Sequence, residues 1–222
     1  MQRPALPRHF VVFGWIDEHR LLSMQASLRT YMPRFAFASC TLFSRDRVGI
    51  VFRAADDYAA APELVAEIEA QFGIAGADIL RYEDRRRGNA RQLRIENDKL
   101  LAVSLSGDIA AQGWLREYLE SGQPVAGVRR LLLMPSGKAP QEFTPRGRIV
   151  CDCLNVSLSE IREELERQAS TGKKEASVCL AGLRQALQCG TRCGFCWPEL
   201  RKIITTQKHE LRSVAQGLLR DV

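Results

Sequence analysis

The sequence predicts an α+β protein, with a small α/β sandwich-type region at its N-terminal end followed by a small, mostly α domain. Three observations carry that reading. Short apolar, strand-like runs alternate with amphipathic helical patterns through residues 1–134. A polar stretch, residues 135–148, then holds Pro135, Gly137, Pro140, Pro145 and Gly147, a composition that suits a linker. Beyond it the character changes, and six of the seven cysteines fall between positions 151 and 196.

The elements follow in order. Residues 9–14, mostly Val and Phe, read as a short buried strand. Asp17 suits the cap of a helix reaching about Tyr31. Residues 35–43 and 48–52 read as two strands divided by the turn Ser44-Arg45-Asp46-Arg47. Residues 62–72 place Leu64, Ile68 and Phe72 on one helical face, and Gly73 ends that helix. Residues 79–83 are strand-like. Residues 90–95 and 100–105 form a hairpin about Glu96-Asn97-Asp98-Lys99. A helix over 109–119, closed by Gly122, and a short apolar segment at 128–133 complete this part.

After the linker, Ile149-Val150 leads into Cys151-Asp152-Cys153. Ser157 with Glu160 three positions later is a capping box for a helix over 158–168. A second helix covers 177–187, a loop covers 188–197, and Pro198 opens a third helix over 198–205, with a last amphipathic segment beyond. The expected organisation is therefore a β-α-β-β-α domain over 1–75, a hairpin-and-helix region over 76–134, the linker 135–148, and a cysteine-bearing domain over 149–222.

Composition narrows the functional classes. The chain of 222 residues is 45% hydrophobic and 26% charged, which fits a folded domain rather than disorder. Its net charge of +6 could serve an acidic partner. Nucleic acid is not expected, because the basic runs Arg85-Arg86-Arg87 and Lys173-Lys174 have no interleaved aromatics for stacking. No apolar run approaches the ~18 residues of a membrane span, and residues 1–8 lack the apolar core of a signal peptide, so a cytoplasmic location is expected. There, cysteines are thiols or metal ligands more often than disulfides. His9, His19 and His209 are scattered, with no acid or nucleophile pattern beside them, and Cys40 lies in a strand as packing.

The remaining cysteines form a constellation. Cys151-x-Cys153 and Cys193-x-x-Cys196 are separated by 39 residues. In an extended segment, residues i and i+2 point the same way, so Cys151 and Cys153 can present their thiols together. Gly190 and Gly194 permit positive φ and aim backbone N–H groups at sulfur. Four thiolates suit a tetrahedral zinc or an iron–sulfur cluster, and Cys-x-Cys is atypical of zinc knuckles. Cys179 sits in the apolar helical run Val178-Cys179-Leu180-Ala181 as a core thiol, and Cys189, just before the loop, is an alternative ligand to Cys193.

Val150-Cys151-Asp152-Cys153, Val156-Ser157 with Ile161, and Cys189-Gly190-Thr191-Arg192-Cys193-Gly194-Phe195-Cys196-Trp197-Pro198-Glu199-Leu200 together resemble the bacterioferritin-associated-ferredoxin-like (BFD-like) [2Fe–2S] domain. The resemblance implies a [2Fe–2S] cluster held by Cys151, Cys153, Cys193 and Cys196. The longer gap between the two pairs falls at 169–175. Upstream, Tyr82-Glu83-Asp84-Arg85, Leu93-Arg94-Ile95, Lys99-Leu100-Leu101-Ala102-Val103, Gly107-Asp108 and Trp114-Leu115 are similar to the region preceding that domain in bacterial assimilatory nitrate reductases. That region resembles in turn the C-terminal domain of flavin-dependent NADH oxidoreductases.

The resemblance implies an electron-transfer module. It would pass single electrons from a flavoprotein or ferredoxin to a molybdenum centre on a molybdopterin-containing reductase subunit, for nitrate reduction. The molybdenum-cofactor portion of such enzymes has no counterpart in these residues, and no Gly-x-Gly-x-x-Gly fingerprint is present. No complete active site is therefore expected, and the chain would be an accessory subunit or the tail of a larger reductase. The alternative is a stand-alone ferredoxin-like binding module for an iron-storage or redox-sensing partner.

Overall fold

The computed structural model describes residues 8–45, 47–76, 79–134, 138–139, 147–171 and 175–218, with side chains as far as Gln207 in the last helix. Most of the expected linker, the N-terminal residues 1–7 and the Lys173-Lys174 pair lie outside the described residues. The chain divides into two compact units, Met1–Pro145 and Arg146–Val222.

The first unit is built on one antiparallel sheet. Its strands are β1 (Arg8–Trp15), β2 (Phe37–Phe43), β3 (Gly49–Asp56), β4 (Leu80–Asp84), β5 (Asn89–Glu96) and β6 (Lys99–Gly107), in the order β2-β3-β1-β6-β5-β4. β1 is central, pairing with β3 on one side and β6 on the other. A strand with neighbours on both edges and helices on both faces must be apolar in every position, which is why Phe10 to Phe13 form an unbroken apolar run.

The faces separate by strand alternation. Phe10, Val12, Ile50, Phe52, Ala54 and Ala102 meet helix α1 (Leu21–Tyr31) through Met24 and Leu28, and helix α2 (Pro62–Gln71) through Leu64 and Ile68. Val11, Phe13, Val51, Val103 and Leu105 meet helix α3 (Gln112–Ser121) through Trp114, Leu115, Tyr118 and Leu119, and helix α4 (Arg129–Leu133) through Leu132. Each buried Val, Leu, Ile, Met or Phe side chain among these contributes about 1.5–3 kcal/mol. The result is a mixed α/β fold with a helical layer on each face of the sheet.

Several expectations change. The position 75/76, expected to divide two regions, falls inside this continuous sheet, because the pairing of β1 with β6 joins residues nearly a hundred apart. Asp17 makes no side-chain cap; it precedes a 3-10 turn, Glu18–Arg20, and α1 begins only at Leu21. The hairpin is tighter than expected: Glu96 pairs with Lys99, leaving Asn97 and Asp98 as a two-residue turn, both at positive φ. The basic run Arg85-Arg86-Arg87 lies at the β4–β5 turn, where Arg85 pairs with Glu83 at 3.1 Å and Arg87 with Asp84 at 3.8 Å.

The second unit is mostly helical: α5 (Leu158–Ser170), α6 (Ala176–Leu187) and α7 (Trp197–Leu218), with a two-stranded sheet of β7 (Ile149–Cys151) and β8 (Val156–Ser157). The capping box is present. The Ser157 hydroxyl accepts from the Glu160 N–H, and the Ser157 N–H donates to the Glu160 carboxylate at 2.8 Å. The expected third helix and terminal segment are one helix of 22 residues, since nothing between Thr205 and Leu218 breaks it. No helix among the described residues is long and apolar enough to cross a membrane.

Candidate metal centre

Five of the thirteen buried residues in the core of the second unit are cysteines, and four of them converge at one end of that core. Two short segments deliver them. β7 ends at Cys151, and a 3-10 turn, Asp152–Leu154, carries Cys153. The two thiols therefore meet because an extended residue runs into a tight turn, not because both lie in one extended strand as the i, i+2 spacing suggested. Asn155, in the left-handed conformation at φ 50°, closes the turn and returns the chain to β8. The second segment is the loop between α6 and α7, with Gly190 and Gly194 at φ 75° and 74°.

The sulfurs are in contact. Cys151 and Cys153 Sγ are 3.8 Å apart, and Cys193 Sγ lies 3.4 Å from that of Cys153. Cys151 also meets the thiols of Cys189 and Cys196. Cys151, Cys153, Cys189 and Cys196 are buried, whereas Cys193 is exposed. Cys179 is buried along α6, and Cys40 is half-buried in β2 against the sheet core. Of the histidines, His9 lies on β1 and His19 in the 3-10 turn before α1; the side chain of His209 is outside the described residues.

Backbone amides surround the sulfurs. The Gly190 N–H serves Cys151 and Cys196, the Cys193 N–H serves Cys153, and the Phe195 N–H serves Cys193. These donors favour thiolates. The crowding of sulfurs opposes them. The Cys153 contact lowers the Cys151 thiol, but the Cys189 contact and burial outweigh it and push it up to about 12. Contact with Cys151, then burial, raises Cys153. Burial raises Cys193 and Cys196. Thiolates this close need a cation among them, because like charges at such distances do not ionise together.

The loop is braced by one residue that motif spacing does not reveal. The Trp197 indole N–H donates to the Gly190 carbonyl at 3.1 Å. The guanidiniums of Arg184 and Arg201 lie 5.4 and 5.9 Å from the centre of the Trp197 ring. α7 begins directly after Cys196, whose carbonyl accepts from the Leu200 N–H, so the positive end of the helix dipole lies beside the thiols.

The donor set fits a thiolate-bound metal group. A tetrahedral ion with metal–sulfur bonds of about 2.3 Å holds its sulfurs roughly 3.8 Å apart, which is the Cys151–Cys153 separation. Among the described residues, no group of three or more His, Cys, Asp and Glu side chains is set around one point as ligands of a single ion. The fit rests instead on four motif thiols, the inward amides and the helix dipole.

Part of the chain is 36% identical, over 84 residues, to a protein of Klebsiella oxytoca named nitrate reductase. The match covers 38% of this chain and 9% of that protein. A segment of the chain is thus related to a small part of a nitrate reductase. No family model matches the chain. No solved structure matches it.

Proposed function

We propose that the second unit binds a [2Fe–2S] cluster through Cys151, Cys153, Cys193 and Cys196 and serves as an electron-transfer module in a nitrate-reductase system. The observation that carries this reading is the convergence of two cysteine pairs, 39 residues apart in sequence, beneath amides that face sulfur. When bound, such a cluster would exchange one electron at a time.

The chain's own residues would do the rest. The four thiolates hold the irons. The amides of Gly190, Cys193 and Phe195 and the α7 dipole offset negative charge, which raises the potential. Cys151, Cys153 and Cys196 are shielded from water, and only Cys193 reaches the surface. The electron source would be a flavoprotein or ferredoxin, and the acceptor a molybdenum centre in a molybdopterin-containing reductase. The first unit would be a docking scaffold in that assembly. The relation to a nitrate reductase favours this context over an iron-storage or redox-sensing partner.

Anaerobic purification with iron, sulfide and zinc analysis tests the reading. About two irons and two sulfides per chain, with a rhombic S = 1/2 EPR signal on reduction, are expected for this cluster type. One zinc without sulfide would replace electron transfer with a structural role.

A further inference from the structure

Phe195 stands between two of the motif cysteines and is 89% exposed. Its backbone has a task, since its N–H faces the Cys193 sulfur. Any residue could supply that amide, so the fold gives no reason for an aromatic side chain in water. Beside it is Cys193, the exposed member of the thiol group.

The surroundings are basic. Segment 184–202 carries Arg184, Arg192, Arg201 and Lys202 against one acid, Glu199, which pairs with Arg148 at 2.6 Å. Arg184 and Arg201 are held against Trp197, whose indole is tied to Gly190 in the same loop. Their guanidiniums are therefore ordered before any partner arrives, which removes part of the entropy cost of docking. The one acid within the two cysteine segments, 151–153 and 188–197, is the exposed Asp152.

We propose that Phe195, in a segment that also carries Arg184, Arg192 and Arg201, is the docking surface for an acidic electron-carrier protein with an apolar notch among its carboxylates, and that Cys193 is the sulfur through which the electron crosses. This rests on the [2Fe–2S] reading. The charges set orientation and encounter rate, and the phenyl group anchors the complex at its centre. The step is balanced: a reduced partner loses one electron, and the oxidised cluster gains it.

Reduced plant-type ferredoxin, an acidic one-electron donor, is the probe. Stopped-flow absorption measures the second-order rate of electron transfer at low and high salt. The native rate is expected to fall about tenfold or more as the Debye length shrinks from roughly 30 Å to 3 Å. Phe195→Ser is expected to slow transfer at every salt concentration with the slope unchanged. Arg192→Glu combined with Arg201→Glu is expected to flatten the slope. Iron, sulfide and absorption are measured on each variant. Absence of the cluster from the native chain would overturn the electron-transfer reading itself. A fully loaded cluster with a flat salt profile, or with rates indifferent to Phe195, would overturn the docking surface alone.

Discussion

The Trp197 indole N–H donates to the Gly190 carbonyl at 3.1 Å, and the same ring fills the space where a Cβ on Gly190 would sit, 2.7 Å from the indole nitrogen. Two constraints thus meet at Gly190: a left-handed φ of 75° and direct contact with an aromatic face. Its amide meanwhile serves two cysteines.

Gly190→Ala should therefore damage the thiol site more than an ordinary loop substitution. The positive φ alone costs on the order of 1–3 kcal/mol, and the clash adds to it. A lower melting temperature of the second unit and reduced iron per chain are expected. Trp197→Phe keeps an aromatic ring but removes the indole donor, at a cost of about 1 kcal/mol.

Serine replacement separates ligands from neighbours. With the proposed cluster bound, Cys151→Ser, Cys153→Ser, Cys193→Ser and Cys196→Ser should each abolish the visible absorption of the purified protein. Cys40→Ser, in the first unit, should leave it intact. Cys189 touches Cys151 without belonging to either motif pair, so Cys189→Ala should weaken iron retention by about tenfold, the usual effect of losing a supporting group. Full loss in Cys189→Ala together with retention in Cys193→Ser would reassign the fourth ligand.

Arg116 and Glu120 form a buried ion pair on α3 at 3.0 Å, with side chains only 6% and 5% exposed, and the guanidinium lies 5.3 Å from the Phe43 ring centre. Glu120→Ala leaves a buried charge without this carboxylate and should cost about 3–5 kcal/mol, whereas replacing both residues with well-packed apolar ones should be near neutral. Urea unfolding of the two variants checks the contrast.

Glu69, on α2, accepts from Ser104 Oγ at 2.6 Å and from Gln92 Nε2 at 2.7 Å, yet burial outweighs both bonds and lifts its carboxyl above the ordinary range. A raised folded-state value means the folded protein holds this proton more tightly than the unfolded chain. The associated stability is complete below the unfolded value of about 4.3 and is lost as pH rises through the folded one. Glu69→Gln should therefore gain stability relative to the native protein as pH rises from 4 to 8. A pH-independent difference in unfolding free energy would contradict this.

The candidate site was legible in part because its signals are local. Two cysteine pairs, two glycines at positive φ and the Ser157–Glu160 box each depend on neighbours a few residues away. The helix over 62–72 was equally plain, since a 3.6-residue period survives in any context. Asp17 shows the limit of such signals. It has the right chemistry for a cap, but a short 3-10 turn, Glu18–Arg20, follows it in place of the expected helix, and its side chain makes no cap hydrogen bond there.

Sequence alone determined the chemistry available to this protein: which thiols could act together, where the polypeptide turns, and which segments carry an apolar face. Tertiary structure decided the rest. Pairing of β1 with β6 merged two expected regions into one sheet, because strand partners are chosen by faces that must be buried together, not by proximity in the chain. The same holds at the thiols. The contact of Cys189 with Cys151 joins the loop after α6 to β7, and the contact of Arg184 with Trp197 joins α6 to the start of α7; both arise only when these segments pack. Arg201 reaches the Trp197 ring from one helical turn away, a local i,i+4 relation, but Arg184 reaches it from 13 positions away on another helix, which no spacing rule encodes.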